Sequence, residues 1–114
     1  MQTMEIATRE QNNVLIFDIK GELDAKAAPE LKERLTDKIN QGHTRVLVNL
    51  SDISYLDSAG LGVLVSGLKI ATRQNGDLRM WGLQEEVKNI FQLTRLNKVF
   101  QIFESEEQAL GSYT

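Results

Sequence analysis

The chain has 114 residues, 41% of them hydrophobic, which is the size of one ordinary domain with a sizeable core. It has no Cys and one His, which excludes disulfides, thiolate chemistry and metal clusters built from Cys or several His. The formal charge of −3 argues against a nucleic-acid binder with a basic face. No apolar run is long enough to span a membrane. We therefore expect one soluble, cytoplasmic domain over residues 1–114, without a cofactor and without direct membrane insertion.

A hairpin and a helix are the first elements predicted in chain order. Strands over residues 5–9 and 14–20 flank the polar residues 10–13, which are typical of a turn. Strand periodicity divides the second strand into two faces: Leu15, Phe17 and Ile19 on one, and Val14, Ile16 and Asp18 on the other. A helix follows residues 21–24, tolerates Pro29 near its first turn and stops at Gly42. Its apolar residues recur every four positions: Leu31, Leu35 and Ile39.

Strands and helices then alternate to the end of the chain. Residues 46–50 are almost continuously apolar and predict a buried parallel strand. A largely buried helix follows and ends at Asn75-Gly76. The remaining expected elements are a strand over 78–81, a helix over 87–96, a strand over 99–103 and a short helix capped by Ser105. The pattern predicts an α/β fold with a mixed, mostly parallel open sheet of four to five strands and about four helices.

Residues 51–63 are the segment where a functional site is expected. They follow the carboxyl end of the most buried strand and open the most apolar helix, where open α/β sheets place functional loops. Asp57 and Ser58 are both good N-cap residues. Gly60 and Gly62 are expected to leave the surface bare, so that another molecule can approach. Plain capping and close helix packing would explain the same residues. The backbone N–H groups expected to be free at the helix start are those of Ala59, Gly60 and Leu61.

Three chemical interpretations of this segment meet obstacles in the sequence. A dinucleotide or P-loop site lacks its third glycine, since Val65 stands there, and no Gly-Lys-Ser/Thr follows. A nucleophilic Ser58 needs a base, and the one imidazole, His43, is expected to be exposed in a turn at the opposite end of the strand. A phospho-accepting Asp57 needs an acidic pair after the first strand, which residues 6–8 do not offer, and Asp57 is expected well beyond the end of its strand.

A fourth interpretation requires only an exposed hydroxyl at the start of a helix. If another protein phosphorylates Ser58, the phosphoryl group gains from the helix N–H groups and dipole. It adds about −1.5 to −2 charges beside Asp57. A partner that docks over this segment would then meet like charge, added bulk and a group that must be desolvated. These effects favour an off switch for binding.

The run from Tyr55 to Val63 resembles the phosphorylation-site signature of the bacterial anti-sigma-factor antagonists, which are single STAS domains. Further matches lie at Gly21-Glu22-Leu23-Asp24 and over residues 46–52, 75–78 and 87–96. The resemblance covers about residues 4–110, and two separated motifs occur in the right order. It implies a single STAS domain that performs no catalysis.

Partner switching in transcription regulation is the role that this resemblance implies. In the family, the unphosphorylated protein binds an anti-sigma factor that is also a serine kinase of the histidine-kinase-like ATPase type, which releases the sigma factor. The kinase phosphorylates the serine after the motif Asp and ends the interaction, and a PP2C-type phosphatase restores it. Ser58 would therefore be the phosphorylation site. The resemblance implies that the partner-binding residues are Asp24, Asp57, Ser58, Ala59, Gly60 and Leu61.

Several of these assignments have alternatives that the sequence leaves open. Asp24 matches the family acid that holds the partner, through an Arg, yet it could equally cap the helix that contains Pro29. Ala59 stands where many relatives carry Ser or Thr, which leaves the function intact. Leu61, Trp81 and Phe91 are expected to be core residues. A scaffold or accessory subunit of a signalling or transporter complex, and a nucleotide-binding STAS module, remain alternative functions.

Overall fold

The computed structural model describes residues 4–113, which form one five-stranded sheet with helices on both faces. The strands are β1 (Glu5–Gln11), β2 (Val14–Leu23), β3 (Arg45–Leu56), β4 (Asp77–Trp81) and β5 (Ile102–Phe103). The helices are α1 (Ala28–Asn40), α2 (Ser58–Arg73), α3 (Glu85–Leu93) and α4 (Glu106–Gly111), with a 3₁₀ turn at Leu96–Lys98. The strands lie in chain order; β1 and β2 are antiparallel and the other pairs are parallel. The predicted fold class is confirmed.

The hairpin of β1 and β2 closes on a two-residue turn. Asn12 and Asn13 have φ values of +55° and +64°, as the central residues of a type I′ turn do. The ladder reaches the pair Gln11 and Val14. β1 is therefore two residues longer than predicted, because the turn needs only Asn12 and Asn13.

The main core lies between the sheet and helices α1, α2 and α3. The face of β2 that carries Leu15, Phe17 and Ile19 points into this core, and Phe17 has no exposed surface. The periodic residues of α1 are also buried there, as expected from their spacing: Leu31, Leu35 and Ile39. Phe91 of α3 packs edge-to-face on Phe100, with ring centroids 5.8 Å apart. The predicted core roles of these residues are confirmed.

The opposite side of the sheet, called here the α4 face, has a second, smaller core. Val14 and Ile16 of β2 are buried in it, and Trp81 packs against it. The predicted second face of β2 and the predicted core position of Trp81 are therefore confirmed. Arg9 of β1 pairs with Asp18, 2.6 Å away, and with Glu106 of α4. This hydrogen-bonded guanidinium holds the pKa of Asp18 below its usual range. The Oγ of Ser105 accepts from the N–H of Gln108 at 3.2 Å, which confirms the predicted cap.

β2 and β3 both extend beyond the ends that the sequence predicts, at residues 20 and 50. Their parallel ladder runs on to the pair Leu23 and Leu56, with two register shifts that accommodate extra residues in β3. The extension carries polar residues because this part of the α4 face is open to solvent; Asp52 and Ser54 are exposed there. Residues 51–56, which the sequence predicts as a loop, therefore belong to β3.

The region after α3 also differs from the prediction. The helix ends at Leu93 instead of continuing to residue 96, and Arg95 adopts a left-handed conformation with φ of +62°. A 3₁₀ turn follows, and β5 has only two residues where a strand over 99–103 was expected. Leu93 is 84% exposed and Val99 55% exposed, so these apolar residues do not mark a buried face.

Candidate functional site

The carboxyl ends of β2 and β3 bring two turns together. Leu23 and Leu56 are register partners, and each is the last residue of its strand. The segment after β2, residues 24–27, is called the Asp24 turn. The segment after β3, residues 57–60, is called the Ser58 turn and includes the first residues of α2. Together they form the Ser58 edge, where the sequence placed the site.

Asp57 is the N-cap of α2 and connects the two turns. Its Oδ1 accepts from the N–H of Gly60 at 3.0 Å, which confirms the predicted cap. Its Oδ2 accepts from the N–H of Ala25 at 3.0 Å, across to the other turn. Its own N–H donates to the carbonyl of Leu23 at 3.3 Å. One residue therefore binds the start of α2, the Asp24 turn and the end of β2.

Gly60 is buried against β2, so the expectation that it leaves the surface bare is wrong. A Cβ at this position would lie 2.3 Å from the carbonyl oxygen of Leu23 and 2.8 Å from its Cγ. The glycine lets α2 approach the strand end, which is the close packing that was weighed as an alternative. Gly62 is exposed, with nothing within 4 Å of a Cβ built on it, so the expectation is confirmed there.

The backbone N–H groups at the start of α2 are partly used within the protein. Gly60 donates to the carboxylate of Asp57 and Leu61 to the carbonyl of Asp57, at 2.9 Å. The expectation that both are free is therefore wrong. The N–H of Ala59 has no acceptor among the described residues. A phosphate cradle made of all three groups is therefore not available at this edge.

Ser58 is the first residue of α2, and its side chain is exposed. Within residues 4–113 its hydroxyl makes no hydrogen bond. Ala59 and Leu61 are half-buried and pack against the main core, as expected for Leu61. Of the six predicted partner-binding residues, Ser58 is exposed, Gly60 is buried and the other four are half-buried.

Asp24 organises the turn that precedes α1. Its Oδ1 accepts from the N–H groups of Lys26 and Ala27, both at 3.0 Å. The formal N-cap of α1 is Ala27, which makes no side-chain cap, so Asp24 acts one turn before the helix. Its Oδ2 has no hydrogen-bond partner in the described part of the chain. The capping role considered from the sequence thus uses one oxygen and leaves the other available.

His43 lies at the amino end of β3, whereas Ser58 follows its carboxyl end. The twelve-residue strand β3 separates them, so they lie at opposite ends of the sheet. The imidazole is half-buried rather than exposed, and its Nδ1 lies 3.4 Å from a carboxylate oxygen of Glu10. A serine nucleophile at Ser58 therefore has no imidazole base.

Asp57 directly follows β3, so its expected position well beyond the strand is wrong. This removes one of the two obstacles to a phospho-accepting aspartate. The other remains, because residues 6–8 of β1 bear no acid. Both oxygens of Asp57 also accept backbone hydrogen bonds.

The sequence singled out neither Tyr55 nor Ala25. Tyr55 is 50% exposed near the end of β3, beside Glu22 in the ladder. The alternation that would reveal its orientation is interrupted by the register shift between Gly21 and Glu22. Ala25 contributes through its backbone N–H, for which the sequence contains no signal.

Among residues 4–113, none of the helices combines the length and the hydropathy that a membrane span requires. In the same part of the chain, no group of three or more His, Asp or Glu side chains could hold a metal ion.

Comparisons with known proteins identify the family and the fold. Residues 5–109 match the STAS domain family model. The anti-sigma-B factor antagonist of Staphylococcus aureus is 33% identical over 104 residues, which cover 91% of this chain and 96% of that protein. A crystal structure from Thermotoga maritima has a TM-score of 0.91 at 26% identity, covering 95% of this chain and 93% of that one. Phosphorylated SpoIIAA from Bacillus has a TM-score of 0.76 at 20% identity, covering 96% of this chain and 100% of that one, and shares the fold.

The fold and the matched family define a regulatory binding domain rather than an enzyme. More particularly, the chain belongs to the STAS-domain family of anti-sigma-factor antagonists. Solved structures of similar fold include the anti-sigma factor antagonist SpoIIAA in its unphosphorylated and phosphorylated forms, which are 18% and 20% identical to this chain.

Proposed function

We propose that this protein is an anti-sigma factor antagonist whose binding is switched off by phosphorylation of Ser58. The unphosphorylated form binds an anti-sigma factor and so releases a sigma factor. The observation that carries the proposal is the exposed Ser58 hydroxyl, which makes no hydrogen bond within residues 4–113, at the edge shared with Asp24 and Asp57. The name of the S. aureus relative supports the same role.

The charges of the Ser58 edge account for the direction of the switch. A phosphoryl group adds about −1.5 to −2 charges next to the carboxylate of Asp57. It lies at the start of the 16-residue helix α2, whose N–H groups and dipole favour an anion. Phosphorylation therefore leaves the domain folded and changes only its surface. A partner that fits the neutral hydroxyl would have to accommodate and desolvate the added charge.

The partner that performs the phosphorylation is an anti-sigma factor with serine kinase activity and a histidine-kinase-like ATPase fold. A PP2C-type phosphatase reverses the modification. Asp24 contributes a carboxylate oxygen to the docking surface, since only its Oδ1 is used within the turn. An Arg of the partner is a suitable ligand for such an oxygen, because charge-assisted hydrogen bonds of this kind are strong. These proteins act together in the cytoplasm.

The test combines mass spectrometry with binding of Ser58 variants. Intact protein from its host should carry one phosphoryl group that phosphatase removes and that maps to Ser58. The anti-sigma-B factor of S. aureus and the host's own anti-sigma factor kinase are the binding probes. Ser58→Ala should bind as the unphosphorylated protein does, whereas Ser58→Glu should bind at least about tenfold more weakly.

Ser54→Ala is the matched control, because Ser54 is also exposed and lies near the same end of β3. This variant should still be phosphorylated and should still switch. Equal kinase affinity of Ser58→Ala and Ser58→Glu would contradict the switch. Absence of a phosphoryl group on Ser58 under every growth condition would instead favour a scaffold role.

A further inference from the structure

The two carboxylates of the Ser58 edge differ in how their oxygens are used. Asp24 holds both of its backbone N–H partners, those of Lys26 and Ala27, with Oδ1 alone. Asp57 uses both oxygens, one for Gly60 in its own turn and one for Ala25 in the other turn. Asp24 therefore has an oxygen to offer a partner. Each oxygen of Asp57 is already engaged by the protein itself.

The hydrogen bond between Asp57 and Ala25 joins residues that are 32 positions apart in the chain. Ala25 directly follows Asp24, and Ser58 directly follows Asp57. The bond therefore fixes the position of the Asp24 carboxylate relative to the Ser58 hydroxyl. Two more contacts reinforce the arrangement, since both the N–H of Asp57 and the backbone of Gly60 lie against the carbonyl of Leu23.

We propose that Asp57 is a positioning residue that holds the Asp24 turn and the Ser58 turn in register, and that it makes no direct contact with the partner. This inference rests on the proposed function. The resemblance implies that Asp57 binds the partner directly, whereas here Asp57 holds in place the two turns that bind it. A kinase that recognises Asp24 while it phosphorylates Ser58 must reach both groups at once. Their fixed separation reduces the ordering that binding would otherwise require.

Two asparagine substitutions separate positioning from contact. In Asp57→Asn, the amide oxygen can still accept from Gly60, because Asn caps helices as well as Asp does. Its NH₂ group would face the N–H of Ala25 and cannot accept from it. In Asp24→Asn, one amide oxygen can accept from both Lys26 and Ala27, as Oδ1 does now. The first variant breaks the connection between the turns, and the second removes only the charge offered to the partner.

The experiment measures three quantities for each variant and for the unchanged protein. NMR reports the amide shift and hydrogen exchange of Ala25 and Gly60. Isothermal titration gives affinity for the anti-sigma factor kinase, and steady-state assays give kcat and KM for phosphorylation of Ser58. For Asp57→Asn we expect the Ala25 amide to change and Gly60 to stay protected. We expect affinity to fall about tenfold and KM to rise, with kcat retained.

Asp57→Ser provides a second variant, because Ser also caps a helix yet is too short to span both turns. It should weaken binding as Asp57→Asn does. If the Ala25 amide changes in both variants while affinity and KM stay at their original values, Asp57 is only a cap and the inference is overturned. If affinity falls in Asp57→Asn while the Ala25 amide keeps its shift and its protection, the charge of Asp57 contacts the partner and the inference is again overturned. Failure of the unchanged protein to bind any kinase would refute the proposed function itself.

Discussion

The Ser58 edge and the α4 face are held together by different kinds of interaction. At the Ser58 edge, carboxylate-to-backbone bonds and the close approach of Gly60 to Leu23 hold two turns together. On the α4 face, the ion pairs of Arg9 with Asp18 and Glu106 join β1, β2 and α4 across the surface. Backbone partners fix positions more closely than two flexible side chains can. The Ser58 edge is therefore held mainly through backbone groups, whereas the α4 face is joined through side chains.

Gly60→Ala should have the largest effect and would break the Ser58 edge. The new Cβ would lie 2.3 Å from the backbone oxygen of Leu23, so α2 or β2 must move. We expect the free energy of unfolding to fall by about 2–3 kcal/mol, as overpacked core sites do. Urea denaturation measures it. Gly62→Ala is the matched control, since it has open space and an exposed helical position, and should be stabilising by about 0.5–1 kcal/mol. Equal effects at the two glycines would contradict the close packing.

Asp57→Ala should have an intermediate effect, because it removes the cap of α2 and the bond to Ala25 together. We expect a loss of about 1–2 kcal/mol in the free energy of unfolding, measured by urea denaturation. Ser105→Ala, at the cap of the short helix α4, is the matched comparison on the other region. Its cost should be smaller, since it removes one hydrogen bond at the end of the chain. A larger loss at Ser105 would reverse the ranking of the two regions.

The smallest expected effect is the pH dependence of the free energy of unfolding that comes from Asp18. It is a property of the α4 face, where Asp18 pairs with Arg9. The guanidinium of Arg9 lowers the pKa of Asp18 in the folded state. The stabilisation is therefore present above the unfolded pKa of about 3.9 and is lost as pH falls through the lower folded value. Asp18→Asn should thus be less stable than the unchanged protein at pH 7, with the difference shrinking toward pH 2. Denaturant titrations at several pH values measure this. A difference that stays constant with pH would show that charge contributes nothing there.

Hydrophobic periodicity predicted the elements whose two sides face different surroundings. The division of β2 into two apolar faces and the repeat of α1 were both correct, because each depends on a regular spacing that folding preserves. Asp57 as a cap was also predictable, since capping joins residues three positions apart. The end of β3 was not, because its polar residues lie on an open part of the sheet and resemble a loop. The region after α3 departs from the prediction because Leu93 and Val99 are apolar yet exposed.

The sequence by itself determined the fold class, the exposed serine at a helix start and its acidic neighbour. These features depend on local propensity and spacing along the chain. Only the tertiary structure decided that Gly60 is buried, that Asp24 has one oxygen left over, and that Asp57 reaches Ala25. The physical reason is that the last contact joins backbone and side chain across 32 positions. Every residue except proline has the same backbone N–H, so no pattern of side chains could reveal that Ala25 donates to Asp57.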